Sequence, residues 1–118
     1  MKKKILIYDD DKEILILCKA ILSKFSYQVE TLSICENIIS DIKMHNPDLI
    51  LMDLWIPDIG GEKAITIAKS DDSIKVPILI FSANADIKRI CEKVHADGYV
   101  EKPFSVNSFV AIINKYLG

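Results

Sequence analysis

The sequence is poor in the patterns that mark secreted, membrane-spanning or nucleic-acid-binding proteins. Its three cysteines are an odd number without the spacing of a zinc site, which argues against a disulfide framework. No apolar run approaches the ~20 residues that span a bilayer, and the run after the basic start is too short for a signal peptide. The net charge of -2 provides no basic footprint for nucleic acid or an anionic membrane. These absences predict a cytoplasmic protein without membrane insertion or direct DNA binding.

The composition is that of a folded domain with one core. Half of the residues are hydrophobic and 27% are charged, which excludes a disordered chain. A length of 118 residues fits a single domain, predicted over 1–118. Cys18, Cys35 and Cys91 fall in segments predicted to be helical. We interpret them as small buried hydrophobic residues in a reducing compartment.

Short apolar runs alternate with helical patterns along the whole chain. The runs predict five strands, at 4–8, 28–32, 49–52, 76–81 and 97–100. Apolar residues at helical spacing follow each strand and predict five helices. Ser33 and Glu36 form an S-x-x-E capping box that predicts the start of the second helix, which continues to about His45. Ser105 is predicted to cap the last helix.

This alternating order defines the predicted fold class, an α/β protein with five strands and five helices. Buried strands separated by helices form a parallel sheet that is covered on both faces. Right-handed crossovers favour a doubly wound, flavodoxin-like sheet with strand order 2-1-3-4-5. In that order, the first, third, fourth and fifth strands deliver their last residues to the same edge of the sheet.

Chemically distinctive residues stand at that edge. They are Asp9, Asp10, Asp53, Ser82 and Lys102. Three carboxylates close together repel by about 4 kcal/mol per pair at about 4 Å and an effective dielectric constant of about 20. A hard divalent cation removes this cost, and an all-oxygen ligand set points to Mg²⁺. The sequence therefore predicts a magnesium site at this edge, with Lys102 supplying further positive charge.

Together with a few further matches, these residues resemble the receiver domain of two-component response regulators, in its stand-alone, chemotaxis-regulator-like form. The resemblance covers the whole chain. It rests on Asp9 and Asp10, on Asp53, Ser82 and Lys102, and on Pro57, Gly61, Tyr99, Pro103 and Phe104. Each motif alone is weak, whereas their joint occurrence at the correct strand ends is specific.

The resemblance implies phosphoryl transfer in a two-component system or phosphorelay. Asp53 is expected to accept a phosphoryl group from a phosphohistidine of a sensor histidine kinase or histidine phosphotransfer protein. Lys102 and the Ser82 hydroxyl are expected to hold the phosphate oxygens. The protein is then no multiple-turnover enzyme, since it catalyses only its own phosphorylation and dephosphorylation.

The resemblance also implies a metal site and a conformational switch. Mg²⁺ is expected on Asp10, Asp53 and the backbone carbonyl of Trp55, with Asp9 acting mainly through water. After phosphorylation, Tyr99 is expected to turn inward and change the surface of the fourth helix, fifth strand and fifth helix. An unknown downstream protein would bind that surface, and the chain would be a monomer or a phosphorylation-dependent dimer.

Structural interpretations of the same residues stay open at this point. Asp9 to Asp11 can simply cap the first helix, which we favour only for Asp11. Lys102 can be a solvated lysine before a turn, and Ser82 an ordinary turn hydroxyl. Tyr99 can be plain core packing.

Other functions also stay open. A Mg²⁺-dependent phosphohydrolase with an aspartyl-phosphate intermediate would use a second acid at the position of Trp55. An FMN carrier would need a phosphate-binding loop where three aspartates would repel the ligand. A receiver used only as a scaffold would not need the complete set of acids, hydroxyl and lysine. A receiver cut from a longer regulator is a further alternative.

Some positions depart from the family pattern. Trp55 places a bulky ring near the mouth of the expected site, which predicts a long-lived acyl phosphate. His95 stands where a small residue is usual, without a functional account. His45 and His95 have no acid–base partner visible in the sequence and are predicted to lie at the surface. The Lys102–Pro103 bond is expected to be cis.

Overall fold

Five parallel strands form the centre of the protein, and helices connect each strand to the next. The computed structural model describes residues 2–118. Its elements, in chain order, are β1 (Lys4–Tyr8), α1 (Lys12–Lys24), β2 (Gln28–Leu32), α2 (Ile38–His45), β3 (Leu49–Met52), α3 (Gly61–Lys69), β4 (Ile78–Ser82), α4 (Ile87–Val94), β5 (Gly98–Glu101) and α5 (Val106–Leu117). The strands lie in the order β2-β1-β3-β4-β5. The predicted fold class and strand order are therefore confirmed.

Alternate side chains of each central strand enter two separate cores. Ile5 and Ile7 of β1 pack with residues of α1 and α5, whereas Leu6 and Tyr8 pack with residues of α2, α3 and α4. All residues of β3 and β4 are buried, which is why their sequences are apolar except for Ser82 at the end of β4. Among residues 2–118, no helix combines the length and the apolar character needed to cross a membrane.

The start of α2 corrects the sequence-based prediction. Asn37, rather than Ser33, is the N-cap, and its side chain accepts a hydrogen bond of 3.1 Å from the Ser40 N–H. The helix therefore begins at Ile38. The predicted capping box is wrong because another good capping residue follows Glu36 directly.

Cys35 consequently lies in a loop and not in a helix. Its N–H donates to the Pro57 carbonyl at 3.2 Å, and its carbonyl accepts from the Ile59 N–H at 3.3 Å. This pairing joins the loop before α2 to the loop before α3. Cys18 and Cys91 lie in α1 and α4, and all three thiols are buried, as predicted.

Two other predicted caps are confirmed. The Asp11 side chain accepts from the N–H groups of Glu13 and Ile14, at 3.0 and 3.4 Å, and so caps α1. The Ser105 hydroxyl accepts from the Ser108 N–H at 3.1 Å and caps α5.

His45 has a partner that the sequence did not reveal. Its side chain is only 19% exposed, and its Nδ1 lies 2.6 Å from Glu30 Oε2. The other oxygen of Glu30 lies 2.8 Å from Lys4 Nζ. The prediction of an unpartnered surface residue is wrong for His45. His95 is exposed, as predicted, and ends α4 in the left-handed region, at φ 61°.

The hydrogen bonds that Lys4 and His45 make to Glu30 predict a pH-dependent contribution to stability. Its hydrogen bond to Lys4, assisted by His45, holds the Glu30 pKa below its usual value. A carboxylate of this kind stabilises the fold above its unfolded-state pKa, and the contribution is lost as pH falls through the folded-state value. We expect Glu30→Gln to lower the unfolding free energy by about 0.5–1 kcal/mol at neutral pH, since the group is partly exposed.

Urea denaturation of both proteins at neutral and acidic pH measures this difference. It should shrink on acidification, and the exposed Glu36 provides a control, because Glu36→Gln should change little at either pH. A difference that stays constant or grows in acid would contradict the assignment.

Candidate functional site

The register of the sheet places two acids side by side. Tyr8 of β1 pairs with Met52 of β3, so Asp9 and Asp53 both follow directly at the carboxyl edge. The Asp53 N–H donates to the Tyr8 carbonyl at 3.0 Å, which extends the strand pairing to the acid itself. The chain reverses its direction of progress through the sheet between β1 and β3. In open α/β sheets, ligands bind at such a switch point.

An open cavity of about 410 Å³ lies at this edge. It is lined by Asp9, Asp10, Asp11, Asp53, Trp55, Ser82, Ala83, Asn84 and Lys102. Every residue predicted to bind metal or phosphate is among them. Tyr99 is not, because it is half-buried on β5 and lines a groove between α4 and α5. The structure thus brings the expected residues together, while their chemical roles stay predictions.

Lys102 lies between the two buried acids. Its Nζ is 2.5 Å from Asp9 Oδ2 and 3.9 Å from Asp53 Oδ1. The ammonium also stands 4.6 Å from the centre of the Phe81 ring, which restricts its position. The next peptide bond, Lys102–Pro103, is cis, as predicted. A single ammonium group therefore lies close to two carboxylates that follow different strands.

Asp53 is a buried carboxylate at the floor of an open cavity. It is only 4% exposed, and its Oδ1 accepts a hydrogen bond of 3.3 Å from the Trp55 N–H. Burial raises the pKa of Asp53 above its usual value, Lys102 opposes this rise, and Asp9 adds to it. The negative charge of Asp53 is therefore incompletely compensated by the protein alone.

The acids form a donor set that suits a hard cation. One carboxylate oxygen from each of Asp9, Asp10 and Asp53 lies within 4.8 Å of the others. Three carboxylates against the one ammonium of Lys102 leave two negative charges to neutralise. Asp10 is exposed, so the set is open to solvent. Oxygen donors with this excess charge fit Mg²⁺.

Ser82 and Asn84 also line the cavity. The Ser82 side chain is buried, and its Oγ accepts a hydrogen bond of 3.1 Å from the Asn84 N–H. Sequence reasoning did not select Asn84 or its neighbour Ala83 as cavity residues. The available signal was their position directly after Ser82 at the end of β4. Asp11 also lines the cavity, in addition to capping α1.

Gly61 marks the closest approach of α3 to the Asp53 backbone. A Cβ at Gly61 would lie 2.4 Å from the Asp53 carbonyl oxygen and 2.6 Å from the Leu54 Cα. Because these obstacles are backbone atoms, no side-chain rotation can relieve the overlap. Only glycine fits here.

We expect Gly61→Ala to lower the unfolding free energy by about 1–3 kcal/mol, since over-packing against fixed neighbours has costs of this size. The matched control is Gly60→Ala. Position 60 has a φ of 83°, but a Cβ there would have no heavy atom within 4 Å, so its cost is limited to about 1–2 kcal/mol of backbone strain. Urea denaturation compares the two variants, and displaced amide resonances around Asp53 in Gly61→Ala alone would locate the clash. A Gly61→Ala protein as stable as the wild type would contradict the close packing.

The fold and the cavity together define a class of protein, the receiver-like α/β domains that carry an acidic pocket, a hydroxyl and a lysine at the switch point. The family model for the response regulator receiver domain matches residues 5–114. The chain therefore belongs to the response regulator receiver domain family, which operates in two-component signalling.

Individual relatives and solved structures are similar to this chain over nearly their whole length. The polar-differentiation response regulator DivK of Brucella ovis is 30% identical over 124 residues, which cover 100% of this chain and 98% of DivK. A putative response regulator structure from Chloroflexus aurantiacus has a TM-score of 0.90 at 25% identity, covering 99% of this chain and 98% of the other. The receiver domain of the sensor histidine kinase PA1611 from Pseudomonas aeruginosa has a TM-score of 0.88 at 23% identity and coverage of 100% and 99%. That protein has a magnesium ion coordinated in its active site cleft.

Proposed function

We propose that this receiver domain, residues 1–118, is a phosphoacceptor in which Asp53 takes a phosphoryl group from a phosphohistidine. The donor would be a sensor histidine kinase or a histidine phosphotransfer protein. The observation that carries this proposal is the buried Asp53 carboxylate, which shares one open cavity with Lys102, Ser82 and three further acids. Membership of the receiver family supports it.

The transfer is an in-line displacement at phosphorus. A lone pair of the Asp53 carboxylate forms the new O–P bond, while the P–N bond to the donor histidine breaks. Its electron pair goes to the ring nitrogen, and because the other ring nitrogen carries a proton, a neutral imidazole leaves. Asp53 needs no proton transfer, provided that its carboxylate is ionised.

Two side chains of this chain stabilise the transferred group. Lys102, 3.9 Å from Asp53 Oδ1, can place its ammonium against a phosphoryl oxygen. The Ser82 Oγ already accepts from the Asn84 N–H, so the hydroxyl proton is free to be donated to another oxygen. These donors lie where negative charge accumulates in the transition state.

The acids would hold Mg²⁺ in the way that the family pattern implies. Asp10, Asp53 and the Trp55 carbonyl would bind it directly, and Asp9 mainly through water. When bound, the ion supplies the positive charge that the acids and the incoming phosphoryl group require. The Asp11 N–H holds Asp9 in place through a hydrogen bond of 2.9 Å to its Oδ1.

Phosphorylation would switch the surface of α4, β5 and α5, with Tyr99 as the moving aromatic. Tyr99 lies in the groove that Ile112 and Tyr116 of α5 also line, so a change in its position would alter that surface. A downstream protein would recognise the change. We propose a cytoplasmic protein, monomeric or dimerising on phosphorylation, that turns over no separate substrate and binds no DNA through this chain.

Incubation with acetyl phosphate and Mg²⁺, followed by intact-mass measurement and peptide mapping, tests the proposal. We expect the gain of one phosphoryl group, located on Asp53 and prevented by a chelator. A phosphoryl group on another residue, or none, would refute the phosphoacceptor role. Continuous release of inorganic phosphate from a small phosphoester would favour the phosphohydrolase alternative.

The exposed indole of Trp55 predicts slow loss of the phosphoryl group. Trp55 lines the cavity with its side chain largely exposed, so the ring would obstruct the water that must attack the acyl phosphate. We expect Trp55→Asn to speed hydrolysis about 3- to 10-fold, a change of about 1 kcal/mol in the barrier. Trp55→Phe, which keeps a ring, should stay close to the wild type. Decay of the phosphorylated mass after removal of donor measures the rate, and an unchanged or slower rate in Trp55→Asn would end this explanation.

A further inference from the structure

We propose that Trp55 is a specificity-determining residue that selects imidazole-based phosphodonors, because its indole stacks on the ring of the incoming phosphohistidine. The inference deepens the proposed function and rests on it. It adds a contact to the leaving group, whereas the residues described above contact the phosphoryl group and the metal.

The position of Trp55 is unusual for a tryptophan. Its side chain is 73% exposed, so the ring contributes little to the core. Its backbone is nevertheless tied to the nucleophile, through the hydrogen bond of 3.3 Å from the Trp55 N–H to Asp53 Oδ1. Within residues 2–118, Trp55 is also the one aromatic residue that lines the cavity. An apolar ring is therefore held in solvent at the entrance of a polar site.

The geometry of the transfer places the donor ring at this entrance. In an in-line displacement, the leaving group stands opposite the attacking oxygen. Asp53 lies buried, 4% exposed, so the leaving group must point outward toward the mouth. The mouth is where the indole of Trp55 stands, and the imidazole leaves along its face.

The chemistry of the two rings is complementary. A phosphoimidazole protonated on the nitrogen remote from phosphorus is an aromatic cation until the P–N bond breaks. Tryptophan offers the best aromatic face for a cation, and a stacked aromatic pair adds a contribution of its own. The exposed carboxylate of Asp11 lines the same cavity and favours positive charge there. Acetyl phosphate has neither a ring nor a positive charge on its leaving group, so it gains nothing from the indole.

The test compares two small donors, phosphoimidazole and acetyl phosphate, at the same Mg²⁺ concentration. The measured quantity is the ratio of their phosphorylation rates in the wild type and in three variants at position 55. We expect the ratio to fall about 3- to 10-fold in Trp55→Ala, as loss of one aromatic or cation–π contact predicts. Trp55→Leu, which keeps apolar bulk, should fall equally, and Trp55→Phe should retain most of the wild-type ratio.

A binding measurement provides an independent readout. Trp55 is the single tryptophan of the chain, so its fluorescence reports on this position alone. In Asp53→Asn, which cannot be phosphorylated at that residue, phosphoimidazole should quench the emission at concentrations where acetyl phosphate does not.

The outcomes separate the two proposals. If neither donor phosphorylates the wild type on Asp53, the proposed function itself fails. If both donors do, but the ratio is the same in all variants or is preserved in Trp55→Leu, only the stacking proposal is overturned. Equal quenching by both donors would also overturn it.

Discussion

Asp53→Asn is expected to gain no phosphoryl mass from acetyl phosphate under conditions that phosphorylate the wild type completely. The amide that replaces the carboxylate is a poor nucleophile. The neighbouring Asp9 already has both carboxylate oxygens engaged, one by the Asp11 N–H and the other by Lys102. The expected effect is a complete loss of the mass gain that the wild type shows. Intact-mass measurement over time detects it directly.

This loss should not reflect unfolding. Burial raises the Asp53 pKa, so the folded state holds a proton that the unfolded state releases as pH rises between the two pKa values. The ionised group therefore destabilises the fold at neutral pH. Without Mg²⁺, Asp53→Asn should be at least as resistant to urea as the wild type, and it should gain less stability when Mg²⁺ is added.

A matched control uses the same chemical change within the same cavity. Asp11 lines the cavity but serves as the N-cap of α1, a task that asparagine performs equally well. Asp11→Asn should be phosphorylated like the wild type. Phosphorylation of Asp53→Asn to a similar extent would show that another residue is the acceptor and would remove the basis of the mechanism.

The second large effect is expected from Lys102→Met, which keeps most of the apolar stem and removes the charge. The ammonium lies within 3.9 Å of both buried acids and, over the part of the chain that the structure describes, is the one side-chain cation of the cavity lining. Loss of one charge-stabilising donor in a transition state typically slows a reaction about 10²- to 10³-fold. We expect a decrease of this size in the initial rate of phosphorylation by acetyl phosphate.

Lys102→Arg distinguishes the effect of the positive charge at position 102 from the effect of its exact placement. The guanidinium keeps the positive charge but is planar and longer, so it cannot occupy the same point between Asp9 and Asp53. Its rate should lie between those of the wild type and Lys102→Met. Mg²⁺ binding, followed by Trp55 fluorescence, should persist in both variants, because their carboxylates are intact. A Lys102→Met protein that is phosphorylated at the wild-type rate would exclude Lys102 from the transfer.

The grouping of these polar residues at one edge of the sheet was predictable because most of them end or directly follow an apolar strand. Asp9, Asp53 and Ser82 all follow buried runs, and the strand order then determines that they meet at one edge. Asp10 and Lys102 could be added because they stand next in sequence to those strand ends. Burial of a strand on both faces leaves a strong signal in sequence, which is why strands β1 and β3 were predicted with their observed bounds. The edge strand β2 is only partly buried and was predicted from its weak alternation and β-branched residues.

The errors concern contacts between segments that are distant in sequence. The pairing of Cys35 with Pro57 and Ile59 joins two loops. Neither loop has a sequence pattern that predicts its contact with the other. The same holds for the pair of His45 with Glu30, which forms only after α2 packs beside β2. Local capping rules also favoured Ser33, although the competing cap at Asn37 prevailed. Sequence patterns act within a few residues, whereas the contacts of Cys35 and His45 are decided by tertiary packing.

The ion pair of Lys102 with Asp9 spans 93 positions of the chain. A nascent polypeptide that ends before β5 therefore contains Asp9 and Asp53 but lacks Lys102, the cation that lies between them. During synthesis on the ribosome, the pocket can be completed only when nearly all of the domain has been made and β5 has joined β4. Copies that end before β5 cannot form the complete pocket, so under the proposed function they would accept a phosphoryl group poorly.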